Sequence, residues 1–136
     1  MSKSNDGEND IQKFTFQGIA PTWSAIPQLY ISLHTSNPGE AGKQNTNECA
    51  YGSYVRLPIN RDDTGWTVTN NIASNAIVLT FASCSLGTEI ITHVGIGTDL
   101  AGEGRLLQSY QLTSPLTVNI GTSPYFSVGA LQVIEE

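Results

Sequence analysis

The sequence predicts an all-β domain, a sandwich or barrel of about eight short strands behind a flexible N-terminal segment. Three observations carry that class. Hydrophobic residues make up 39% and charged residues 13% of the 136, both below the usual shares of about 45–50% and 25%, so the difference is made up by neutral polar residues and glycine. Helical bundles need Ala, Glu, Lys, Leu and Arg in bulk, and six Lys plus Arg in all cannot supply them. The apolar residues also recur in short alternating bursts between Gly, Asn, Asp and Pro, the pattern of strands and turns.

Residues 1–10 (MSKSNDGEND) carry no apolar residue after Met1 and are expected to be a mobile tail. Residues 11–28 hold apolar anchors among Gly18, Pro21 and Pro27; they read as an arm, or a short helix and loop, lying across the domain. Phe14, Phe16, Ile19 and Trp23 are its candidate assembly residues, packing on the domain or on a neighbour while the first ten residues order only in the assembly. The domain proper is expected over 29–136. Its first strand is Leu29–His34, with Leu29, Ile31 and Leu33 on one side and Tyr30, Ser32 and His34 on the other. Thr35 to Gly42 is turn chemistry, and a long loop runs to Ala50. Tyr51 to Asn60 reads as an edge strand, with Val55, Leu57 and Ile59 inward, Tyr54 and Arg56 outward, and Pro58 barring a central position.

A strand at Trp66–Thr69 ends at Asn70-Asn71, where a reversal is cheap. Ala76 to Phe81 reads as a core strand with Ile77, Leu79 and Phe81 on one face, and Glu89–Gly97, Gly104–Leu112, Leu116–Ile120 and Tyr125–Ile134 complete the set. Within the last, apolar parity changes from Phe126 and Val128 to Leu131 and Val133, which predicts a bulge at Gly129-Ala130 that buries both pairs.

A net charge of −6 with scattered arginines argues against a nucleic-acid partner. No apolar run reaches the roughly 20 residues of a membrane-spanning helix, and no secretory leader is visible, so synthesis in the cytosol is expected. Cys49 and Cys84 are too few for a zinc site and are expected to be thiols. His34 and His93 lack a nucleophile motif and read as structural. Gly95-Ile-Gly97 is followed by no helix that could hold a pyrophosphate. Asp62, Asp63, Asp99 and Glu103 lack the spacing of a calcium loop and read as solvated turns. Trp23 and Trp66 could stack sugars but lie far apart in sequence; Trp66, beside Val68, reads as core. No catalytic residue, cofactor or metal is expected.

LYISLHTSNPGEAG followed by NECAYGSYVR resembles a family of small bacteriophage virion proteins, many of them labelled tail-fibre proteins. Leu29, Tyr30, Leu33, Thr35, Pro38, Gly39, Glu48, Gly52, Tyr54 and Arg56 fall on its pattern, and ITHVGIGTD, GRLLQSYQL and FSVGALQV are similar to its C-terminal half. The resemblance implies a virion structural protein, not an enzyme, with a jelly-roll β-sandwich. As architecture, Pro38-Gly39 would reverse the chain, Glu48 would pair with Arg56 across a ladder and Tyr54 would cover an edge. The expected function is capsid decoration: a cement protein, dimeric or trimeric, bound to the major capsid protein on the outside of the head. The alternative is a tail or tail-fibre component, partnered by tail proteins, with a receptor- or carbohydrate-binding role.

Overall fold

The computed structural model describes residues 2–135. In chain order they form β1 (Ser2–Lys3), α1 (Asn5–Gln17), β2 (Gln28–His34), β3 (Leu57–Asn60), β4 (Trp66–Thr69), β5 (Ile72–Asn75), β6 (Leu79–Thr80), β7 (Glu89–Gly97), β8 (Leu106–Val118), β9 (Tyr125–Phe126) and β10 (Gln132–Ile134). The β class stands. Where about eight strands in a jelly-roll sandwich were expected, the described strands make antiparallel sheets of five (β1-β8-β7-β2-β3), three (β10-β5-β4) and two (β6-β9).

One apolar core joins the sheets, with Ile31 and Leu33 of β2, Ile91, Val94 and Ile96 of β7, Val118 of β8, Leu79, Phe81, Phe126 and Leu131 all buried. The alternation read in β2 is real, yet Ser32 and His34 on its other side are buried as well. The loop between β2 and β3 covers them, so that strand is enclosed on both faces.

Several expected strands are shorter or divided, each for a local reason. Residues 51–56 form no strand and turn at Gly52-Ser53, so the inward–outward reading inverts there: Val55 is exposed and Arg56 is buried. Ala76–Phe81 contributes only Leu79–Thr80 to a ladder, and Ile77 is exposed. The cause is Asn75, whose buried amide donates to the carbonyls of Ile77 (2.7 Å) and Ser127 (2.9 Å) and bends the backbone away from pairing. The two strands expected at 104–112 and 116–120 are one strand, β8. Its register jumps from Ile91↔Leu116 to His93↔Gln111, around Pro115, which has no N–H to give a ladder.

The expected bulge is instead a turn. Ala130 N–H donates to the Ser127 carbonyl at 3.0 Å and Gly129 sits at φ 77°, the left-handed region that glycine enters without penalty. The chain thereby leaves β9 and enters β10 in a different sheet. Leu131, Val133 and Phe126 are buried, and Val128 is left exposed.

The N-terminus is more ordered than a tail. Residues 5–17, where a tail to residue 10 and then an arm or a short helix were expected, form one helix. Ser4 caps the helix, accepting from Gly7 N–H at 2.9 Å, with Asp6 and Glu8 in the first turn where the helix dipole favours negative charge. Gly7 lets the helix touch β8: a Cβ there would lie 2.6 Å from the Leu107 carbonyl oxygen. Asp10 takes two hydrogen bonds from Arg105 (2.7 and 2.8 Å), and Asp6 pairs with Lys43. Residues up to Asp10 thus dock on the domain, whereas every residue from Ile11 to Ala20 is exposed.

Candidate functional site

The family-pattern residues Leu29 to Arg56 gather into a buried polar node rather than a catalytic cleft. Arg56 is only 3% exposed. Its Nε and Nη2 donate to Glu48 at 2.7 and 2.8 Å, a bidentate pairing, and its remaining donors reach the carbonyls of Asp99 (3.0 Å) and Gly102. Burial opposes the charge on Arg56, but Glu48 outweighs it and holds the guanidinium firmly protonated. Tyr54 donates to the same carboxylate at 2.6 Å and accepts from Leu33 N–H at 3.1 Å. Burial and that bond to Glu48 push its phenol far above the ordinary range, so it remains a donor. The Glu48–Arg56 pair forms, but through a loop instead of a ladder; Tyr54 is half-buried against the core.

Gln44 extends the node. It is fully buried, accepts from Asp99 N–H at 2.9 Å and donates to the Asp99 carbonyl at 3.2 Å. Gly97 and Gly104 make room for it, since a Cβ at either would lie 2.1 Å from its side chain. Nothing in the local sequence signals this glutamine; the paired glycines 95/97 and 102/104 were the readable trace.

The other pattern residues are architectural. Leu33 and Pro38 are buried, Leu29 and Tyr30 half-buried. Thr35 closes onto the Asn47 carbonyl at 2.9 Å, Gly39 N–H donates to Asn37 Oδ1 at 2.9 Å, and Gly52 exchanges backbone bonds with Ser85 and Leu86.

Both histidines have their ring nitrogens engaged or half-covered by neighbours. His34 Nδ1 lies 2.8 Å from the Thr46 carbonyl, which only accepts, so Nδ1 carries the proton and Nε2 accepts the Ser32 hydroxyl at 2.8 Å. Burial pushes its pKa below the ordinary value, keeping the ring neutral. His93 pairs with it across the sheet, and its Nδ1 meets Thr92 Oγ1 at 2.8 Å. Cys49 and Cys84 are free, buried thiols; burial and then the charges of Glu89 and Glu48 push Cys49 up and make its thiolate unfavourable. Among the described residues no three His, Cys, Asp or Glu gather as a metal site: Asp62 caps Thr64 N–H at 2.9 Å, while Asp99 serves the node through its backbone.

The exposed chemistry lies elsewhere. Of the candidate arm residues, Phe14, Phe16 and Ile19 are exposed and Trp23 is held, its Nε1 donating to Asp10 at 2.7 Å and its ring lying under Arg61 at 5.1 Å. Trp23 and Trp66, distant in sequence, line one open groove of about 540 Å³. Its apolar lining includes Leu29, Val68, Ala73 and Val133, and Asp62 and Asp63 stand on it as well. What this arrangement offers is an apolar receptor carrying two carboxylates and the Arg61 guanidinium, beside an apolar helix end.

Residues 2–134 match the family model described as Podophage GP4 fiber I protein gp80, and the chain belongs to that family of small phage virion proteins. No curated protein matches it.

Proposed function

We propose that this member of the fiber I protein family is a structural component of the phage fibre, incorporated through the exposed end of α1, with no reaction of its own. The observation that carries the reading is the family match across residues 2–134. The site geometry supports it: the buried charges and amides around Arg56, Gln44 and His34 bind one another and fix loops. Large apolar side chains at the end of α1 remain in water, and their burial against a neighbour would drive assembly. Imaging intact virions with an antibody against this chain tests the proposal. Label on the fibres supports it, and dense label over the head overturns it.

Capsid decoration is the second reading, favoured by one feature. Among the described residues the one helix is 13 residues long and packs on a small β domain, and none forms a coiled-coil shaft of the kind a fibre stem uses. The partner would then be the major capsid protein instead of tail proteins, and virions lacking the chain would release DNA at lower temperature.

A further inference from the structure

We propose that the exposed end of α1 seats in the Trp23–Trp66 groove of a second copy of this chain. The inference rests on the assembly reading above and names the partner. Ile11, Phe14, Phe16 and Ile19 are 41, 57, 79 and 52% exposed. Their own domain cannot shelter them, because Gly7 against Leu107 and Asp10 against Arg105 fix the direction in which the helix leaves. The groove is the matching vacancy, with Val68 exposed on its wall and Trp66, Leu29 and Val133 in its lining.

Charge points the same way. The side chain of Lys13, just before Phe14, makes no hydrogen bond or close ion pair among the described residues, its charge acting only at a distance on Asp10, and the Asp63 side chain at the groove makes none either. A plug carrying one cation therefore faces an apolar socket where Asp62 and Asp63 outnumber Arg61, on a chain whose net charge is −6, where an unspecific contact between copies is repulsive. The two surfaces are also contiguous. Ile11 and Trp23 line one small cavity of about 140 Å³ together with Leu107 and Gln108, which line the groove too. Plug and socket side by side suit either a reciprocal two-fold exchange or a closed ring of head-to-tail contacts. Exposed phenylalanines and isoleucines of this size offer on the order of 400–500 Å² of apolar surface, a large part of the roughly 800 Å² each partner gives a stable interface.

Sedimentation velocity of the full chain across a concentration series tests this, with circular dichroism confirming that each variant is folded. The wild-type chain is expected to self-associate, and Phe14→Asp with Phe16→Asp to be a folded monomer. Lys13→Glu alone and Asp63→Lys alone should each weaken association about tenfold, and the two together should restore it. A wild-type chain that stays monomeric overturns the proposal, even if another virion protein then binds the same residues. So does an oligomer indifferent to the phenylalanine changes, or a charge swap that fails to rescue. None of these outcomes alters where the chain lies on the virion, so the fibre reading and this one fail separately.

Discussion

The loop between β2 and β3 and the helix α1 solve opposite problems with the same kinds of residue. The loop buries polar side chains: Gln44 and Arg56 leave water and Glu48 largely does, and each guanidinium nitrogen of Arg56 and the amide of Gln44 finds a partner within the chain. The helix buries Gly7 and Asp10 and leaves Ile11, Phe14 and Phe16 outside. A satisfied buried network holds one geometry, since each lost partner costs desolvation without return. An exposed apolar helix end gains nothing from its own domain and waits for a surface. The first region is complete in one chain; the second is complete only in an assembly.

Breaking the finished region should cost most. Arg56→Met leaves the Glu48 carboxylate facing a partly buried site with no counter-charge, a loss of about 3–5 kcal/mol in urea unfolding. Adding Glu48→Gln, which retains an acceptor for Tyr54 but removes the orphan charge, should recover a substantial part. Equal losses in the single and double variants would show that packing, not pairing, holds the node. Next is Gly97→Ala. The new methyl meets the Gln44 amide, which cannot swing aside without leaving both Asp99 bonds, so a loss of about 3 kcal/mol is expected. Gln44→Ala placed alongside should remove the steric part, and the cycle measures it.

The pH dependence sharpens the same region. His34 is held below its ordinary pKa of 6.5 by burial, so the unfolded chain takes up the proton first. Its contribution is full above about pH 6.5 and declines as pH falls below it, at no more than about 1.4 kcal/mol per pH unit for one proton. His34→Gln should flatten the curve there. Asp10 acts at lower pH. Burial alone would raise its pKa, but the bonds from Arg105 and Trp23 overrule that and hold it below 3.8. Its stabilisation is therefore present above about pH 4 and lost as pH falls further.

How far the sequence disclosed these regions depends on which interactions built them. The alternation at 29–34 and the apolar run 89–97 exposed the central strands, because burial on a sheet leaves a period of two. Asn75 and Gln44 left no such pattern; each acts through carbonyls and amides brought near by the fold, and single polar residues carry no periodicity. Arg56 was assigned to the wrong side because a strand was assumed through Ser53, whose φ of 77° breaks it. The helix was hidden by its composition. Its start was written in Ser4, Asp6 and Glu8 and its stop in Gly18, at φ 67°, but its first half, with no apolar residue, reads as a tail, and only residues from Ile11 on read as an arm or a short helix. It docks by a glycine and a carboxylate, which hydrophobic patterning cannot detect. The two tryptophans of the groove were visible as residues and invisible as neighbours.

The helix side of the comparison should yield smaller effects on the single domain. Ser4→Ala removes the cap to Gly7 N–H and the bond to the Leu106 carbonyl, about 1 kcal/mol, and hydrogen exchange should quicken through residues 5–10 ahead of the sheet. Limited proteolysis reads the same boundary between docked and exposed residues. Cleavage is expected within the exposed 11–20 segment, where the side chains a protease needs are free, and not within the docked residues before Asp10.

Phe14→Ser with Phe16→Ser should have the smallest effect of all in dilute solution. Both rings already lie largely in water, so removing them forfeits little burial, and surface changes of this kind fall within about 0.5 kcal/mol. The contrast appears on concentrating the protein. Binding that occurs only between folded copies stabilises them by mass action, so the melting temperature of the wild-type chain should climb with concentration while that of the double variant stays level. Parallel, flat curves for both would mean that the exposed end of α1 contributes nothing between copies, and would leave the helix as unfinished in self-assembly as it is in the single chain.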